Sequence, residues 1–231
     1  MALQRPLRRV FASGVALWLA TAGAGAAGSG ATQAPAPPAT AAADPFDEIF
    51  RRGAPVEATL KTVSASFVET STSTLLKAPQ VARGTLVGRR PNQVRLDYTG
   101  SDPRTVIVNG NTLAIDWPSR ATRDSRDITS TMRRAERFFV LSSPAELRKH
   151  FEIATVDAPD RKGAWRVAFT PRRRQMREGV NRVLLWIDKA SLQLQALKME
   201  YPGGDARLME FSDVRLNPPV DAQAFTVAPR R

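Results

Sequence analysis

Apolar and polar residues alternate with period two along most of the chain after Val63, and turn residues interrupt the pattern at short intervals. Nothing else in the sequence narrows the fold as much. In an extended strand successive side chains point to opposite faces, so alternation such as Trp165, Val167 and Phe169 against Arg166 and Ala168 marks a strand with one face buried. Strands are expected at 64–76, 81–89, 93–99, 104–108, 112–117 and 121–128, then at 151–156, 164–170, 180–188, 192–201, 206–214 and a short 225–227. The turns between them include Ala78-Pro79, the run 99–103, Lys189-Ala190-Ser191 and Pro202-Gly203-Gly204-Asp205. Asn109-Gly110 reads as a tight hairpin, since both residue types tolerate positive φ. Many short, hairpin-linked strands with no internal repeat predict a single antiparallel, strongly curved sheet or barrel. One segment adds a constraint. Val183, Leu185 and Ile187 face one way and Leu184 and Trp186 the other, so this strand must be covered on both faces or line an internal cavity.

Two regions follow a helical spacing instead. Asp44 and Pro45 form a cap and first turn, followed by Phe46, Ile49 and Phe50 on one face. Gly53 is expected to end that helix, and Pro55 to begin a second through Val56, Leu60 and Val63. The stretch 131–150 also reads as helical, with a break at 142–144 where Ser143 can cap a segment starting at Pro144. The fold class is therefore α+β: mostly β, with a leading helix and a mid-chain helical interlude.

The N-terminal residues follow another logic. Arg5, Arg8 and Arg9 precede the apolar run 10–20, and small residues follow with cleavage-type triplets such as Ala22-Gly23-Ala24. That order predicts a cleavable export signal over 1–27, its apolar run too short to span a bilayer. Arg8-Arg9-Val10-Phe11 leaves both the general secretory and the twin-arginine routes open. Residues 28–43, rich in Ala, Pro and Thr, are expected to be a flexible linker, and 44–231 one domain of ordinary size. The sequence has no cysteine, so an anchor on an acylated cysteine is not expected. The formal charge of +12 falls to about +9 once the three signal arginines are removed. On an exported protein such charge points to anionic lipid headgroups or acidic partners and not to nucleic acid. The basic run Arg172-Arg173-Arg174 with Arg177 reads as a solvated hairpin tip.

The sequence gives no catalytic constellation: no nucleophile elbow, no paired-histidine metal helix and no glycine-rich phosphate loop. His150 is the single histidine, placed at a predicted helix C-terminus where a cation is favourable without any catalytic role. Asp124 and Asp127 alternate with Arg123 and Arg126 and read as solvated pairs. No catalytic residue, metal ligand or cofactor is expected.

An ordered set of short motifs resembles the LolA family of lipoprotein carriers. It comprises Ala65-Ser66-Phe67, then Gly84-Thr85-Leu86 with Arg89-Arg90-Pro91-Asn92. Val106-Ile107-Val108-Asn109-Gly110 and Thr112-Leu113 follow, and Glu210 to Asn217 with Phe225-Thr226-Val227 resembles the closing strands. The resemblance implies an incomplete β-barrel covered by an α-helical lid over a hydrophobic cavity. It implies a monomeric periplasmic carrier that takes acylated lipoproteins from an inner-membrane ABC transporter to an outer-membrane acceptor. It also implies that Arg90, the arginine of the Arg-Pro motif, latches the lid by bonding to its backbone. Treating 84–98 as one strand places Leu86, Arg90, Val94, Leu96 and Tyr98 on one face, and these, with Trp165 and Phe169, are the expected lipid-binding residues. Val94, Leu96 and Ala114 stand where the family often has aromatic residues. That leaves open a LolA-like binder of another lipid, or a sensory or structural module of the same fold.

Overall fold

The computed structural model describes residues 44–130 and 143–226. The expected signal, the linker, residues 131–142 of the expected helical interlude and Val227 lie outside these. Eleven antiparallel strands form one sheet in the order β6-β5-β4-β3-β2-β1-β11-β10-β9-β8-β7. The first group is β1 (Thr62–Thr72), β2 (Gln80–Arg89), β3 (Gln93–Thr99), β4 (Arg104–Asn109), β5 (Thr112–Trp117) and β6 (Thr122–Asp127). The second is β7 (Phe151–Asp157), β8 (Ala164–Pro171), β9 (Arg182–Asp188), β10 (Leu194–Glu200) and β11 (Ala206–Leu216). The first six strands step outward from β1 by hairpins. The chain then crosses to the far edge and the last five step back, until β11 pairs with β1. Among the described residues β6 and β7 are the edges of the sheet, and the barrel does not close.

Helix α1 (Pro45–Thr59) lies against the concave face of the sheet, beside the short α2 (Pro144–His150). Asp44 caps α1 by accepting from the Phe46 amide, and Ser143 caps α2 by accepting from the Glu146 amide, as the two Pro-initiated starts predict. The predicted break at Gly53 does not occur. One helix runs through both Gly53 and Pro55, although a proline there removes a backbone donor. Packing supplies the reason: Phe46, Ile49, Phe50, Gly53, Val56, Glu57 and Leu60 form a single stripe toward the sheet, and breaking the helix would scatter it.

Three other local expectations are corrected. Phe225 and Thr226 do not begin a strand; Ala222–Phe225 is a turn of 3₁₀ helix, capped by the Asp221 side chain. It packs on the convex face, where Phe225 is buried and Arg95 and Asn109 donate to the Ala224 and Phe225 carbonyls. The β4–β5 turn is centred on Gly110 and Asn111, because Asn109 pairs with Thr112, and only Gly110 takes positive φ. That is the glycine-first hairpin, one residue later than read. The stretch 84–98 is a hairpin of β2 and β3, not one strand. Its even positions nonetheless share a face, because the register pairs Leu86 with Leu96 and Gly88 with Val94.

The two halves of the concave face are filled differently. Over β1–β5 the sheet packs on its own side chains, with Phe67, Leu96, Tyr98, Val108 and Ile115 interlocked in one core. Gly84 makes room for it: a side chain there would collide with the Asp97 carbonyl and the Phe67 ring. Over β8–β11 the concave residues Val167, Phe169, Val183 and Leu197 pack against α1 and α2. On the convex side of this half, Trp186, Leu184 and Ala196 form a smaller cluster, and the Trp186 indole donates to Asp160. The double-sided strand at 183–187 is therefore covered on both faces.

Candidate functional site: an apolar cavity beneath a latched helix

Between α1 and the concave sheet lies a cavity of about 340 Å³. The α1 stripe forms its roof. The walls are Val63 and Ala65 of β1, Leu86 of β2, Val94 of β3 and Phe211, Val214 and Leu216 of β11. Opposite stand Val167, Phe169, Val183, Leu185 and Ile187, with Leu147 of α2 at one end. Apolar side chains dominate the wall. The polar side chains on it are Glu57, Arg90, Ser191 and Gln193.

The β9–β10 turn, 189–193, makes part of the rim. Asp188 fixes it by accepting from the Ala190 and Ser191 amides and the Ser191 hydroxyl, and these bonds hold its carboxyl below the usual carboxylate range. Leu192 adopts φ of +61°, a left-handed conformation unfavourable for a branched apolar residue, and it lines the cavity. The Arg52 side chain ties α1 to this turn by donating to the Lys189 carbonyl at 2.8 Å.

Arg90 sits in the β2–β3 turn at the C-terminal end of α1. Its Nη2 donates to Glu57 Oε1 at 3.2 Å, and both side chains are largely screened from water, 17% and 24% exposed. The Arg90 amide donates to the Lys61 carbonyl at 2.9 Å, tying the turn to the link between α1 and β1. Arg90 thus meets the lid helix through an ion pair with the Glu57 side chain. At the other end of α1, Arg148 of α2 bridges Asp44 at 2.5 Å and Asp47 at 2.8 Å and lies over the Phe46 ring. Phe46 stacks edge to face on both Phe50 and Phe169, each with centroids 5.6 Å apart.

Of the residues singled out from sequence, Leu86, Arg90, Val94 and Phe169 line this cavity. Leu96, Tyr98 and Trp165 are not on its wall. Leu96 and Tyr98 are on the same face as Val94, but farther along β3, where Phe67 and its neighbours fill the concavity. The Tyr98 hydroxyl donates to buried Glu69 at 2.8 Å, and burial raises its pKa. Trp165 shares a face with Val167, but Arg52 and Lys189 lie over its ring. Glu57, Phe46, Phe50 and Phe211 also line the cavity and were not among the expected lipid-binding residues, although Phe46 and Phe50 were expected on one face of the leading helix. Glu57 had a signal: a lone carboxylate inside an apolar helical stripe needs a buried cationic partner. Phe211 had none, because which strands meet across the cavity depends on β11 returning to β1.

Among the described residues, no group of three or more His, Cys, Asp or Glu side chains could hold a metal ion. No helix of these residues is long and apolar enough to cross a membrane.

Comparison with known proteins agrees with this architecture. Residues 58–228 match the family described as outer membrane lipoprotein carrier protein LolA. Curated protein sequences return no match. An uncharacterized conserved protein from Thermus thermophilus is similar in structure, with a TM-score of 0.50 at 8% identity, over 81% of this chain and 96% of that one. Lipoprotein LppX of Mycobacterium tuberculosis aligns with a TM-score of 0.48 at 14% identity, over 78% and 99%. A LolA-superfamily protein from Nitrosomonas europaea aligns with a TM-score of 0.37 at 10% identity, over 73% and 91%. At 8% identity the Thermus thermophilus structure speaks to the fold alone. The profile match spans most of the chain, and the chain belongs to the LolA family.

Proposed function

We propose that this protein is a periplasmic carrier that holds an acyl chain of a lipoprotein beneath α1 and ferries it from the inner to the outer membrane. It would be loaded by an ABC transporter and would deliver to an outer-membrane acceptor. The observation that carries this reading is the apolar cavity roofed by a helix whose one carboxylate on the wall meets Arg90. Transferring one long acyl chain through water would cost on the order of 10 kcal/mol, at about 0.8 kcal/mol per methylene, so carriage needs a covered apolar space. Release needs a cover that is weakly held. A charge-assisted pair that is only partly buried contributes about 1–2 kcal/mol, which biases closed over open roughly five- to thirtyfold. This is weak enough for a docking partner to reverse. Ligand pockets run from about 300 to 1,000 Å³. A cavity of about 340 Å³ is at the small end, and favours one chain over several while α1 stays closed. The reading requires no catalytic group, metal or cofactor.

Native mass spectrometry of the protein as isolated tests it. The expected spectrum shows a population heavier by the mass of an acylated molecule, removed by detergent exchange. A spectrum of bare protein alone, from cells whose lipoprotein export is intact, would contradict the carrier reading.

A further inference from the structure

The hairpin of β7 and β8 pairs Phe151 with Pro171, and so brings the C-terminus of α2 beside the connection from β8 to β9. That connection holds Arg172, Arg173, Arg174 and Arg177 with Glu178 as its one acid. Arg172 turns inward: its amide donates to the His150 carbonyl and its Nε to the Arg148 and Phe151 carbonyls, meeting the negative end of α2. A single helical turn, α3 (Arg174–Arg177), follows. Met176 of that turn and Val180 pack into the core beneath α1, whereas Arg173, Arg174 and Arg177 are exposed. Met176 therefore acts as the anchor that fixes which way the turn faces. None of these three guanidiniums forms an ion pair among the described residues, unlike Arg148, Lys149 and Arg182 nearby. Phe169, three residues before Arg172, and Val183, three after Val180, both line the cavity. Arg173, four residues past Phe169, thus stands at most about 13 Å of extended chain from the cavity wall.

We propose that this arginine collar docks the protein on an anionic phospholipid bilayer, with the α2 end of the cavity toward the membrane. Charge complementarity selects the surface. Three exposed cations on a single turn, without ion-pair partners among the described residues, match a fluid layer of phosphate headgroups. The position fits as well, because the cations border the end of an apolar cavity. Docking of this kind holds whether or not the cargo is a lipoprotein.

Sedimentation with vesicles tests it, using the full chain at low ionic strength. The chain is expected to pellet with equal parts phosphatidylcholine and phosphatidylglycerol, not with phosphatidylcholine alone, and to be released by salt. Each arginine at such a surface is worth about fivefold in partitioning, so Arg173→Gln, Arg174→Gln and Arg177→Gln together should weaken pelleting about a hundredfold. Lys77→Gln, Arg83→Gln and Arg215→Gln together remove the same charge from exposed positions elsewhere and should weaken it only a few-fold. Binding of a fluorescent fatty acid, unchanged in both variants, confirms that each is folded and separates docking from cargo. Equal loss in the two triple variants would overturn the proposal in favour of diffuse charge attraction. Undiminished pelleting by the collar variant would also overturn it and leave the collar to an acidic protein partner.

Discussion

The two ends of the lid helix are held by different physics. At its N-terminus, Phe46 is 4% exposed and wedged against Phe50 and Phe169, while Arg148 bridges Asp44 and Asp47 in solvent-accessible positions. At its C-terminus the Glu57–Arg90 ion pair meets the wall, Asn217 donates to the Thr59 carbonyl, and only Leu60 and Lys61 separate the helix from β1. The C-terminal end is thus a covalent hinge with an electrostatic stop, and the N-terminal end is a packed plug with a charged clamp. A rigid helix hinged at one end moves farthest at the other. Opening the cavity by that route therefore means withdrawing Phe46, and Arg90 sets the angle at which the helix rests.

The largest effect should come from the plug. Phe46→Ala removes a buried ring, a change worth about 3 kcal/mol in a core, part of which the helix recovers by swinging away. Hydrogen exchange in α1 should accelerate roughly a hundredfold while β1 and β11 stay protected. If exchange rises equally throughout the sheet, the helix is part of the core and not a lid.

The stop comes next. Arg90→Leu is expected to fold and to load an acyl chain, but to pass it to acceptor vesicles about tenfold more slowly, because the open, loaded state is no longer penalised. Arg89→Leu is the comparison: Arg89 faces the convex side, over the Phe225 ring, so its loss should lower thermal stability with little effect on transfer. Equal transfer by Arg90→Leu and wild type would reduce Arg90 to a rim residue.

The clamp should have the smallest effect. The Asp44 carboxyl is held below its ordinary 3.8, first by the Phe46 amide and then by Arg148. A depressed folded-state pKa contributes stability above the unfolded value, and that stability is lost as the pH falls through the folded one. Protection of α1 should therefore be flat from pH 8 to about 5 and decline only below about pH 4. Asp44→Asn should shift it at most about fivefold, because both partners meet water. A decline centred near pH 6 would assign control to some other group.

Much of this arrangement was legible in the residues, and what was not had a physical cause. Alternation and turn chemistry located the strands of both halves, and Ser143-Pro144 located α2, because these signals are local. The parity of Leu86 and Val94 also held, although through a hairpin register instead of one strand. The extent of the cavity was not legible. Leu96 and Tyr98 have the right parity, yet whether a concave position is open depends on Phe67 reaching across Gly84 from another strand. The continuity of α1 was hidden for a similar reason: Gly53 and Pro55 argue locally for a break, and a stripe of packed side chains overrides them. Glu57 was the missed opportunity, since its place in that stripe could have been read beside Arg90.

Titration of the delipidated protein with a fluorescent fatty acid tests the central claim most directly, namely that the space beneath α1 is a binding cavity for an acyl chain. Leu185→Trp serves as the blocked form, because Leu185 projects onto the cavity wall from β9 and a larger ring would occupy the space. The account predicts saturable, competable binding of one chain per wild-type protein, and loss of at least about tenfold in affinity in a folded Leu185→Trp variant. Non-saturable partitioning, or equal affinity in the two proteins, would contradict it.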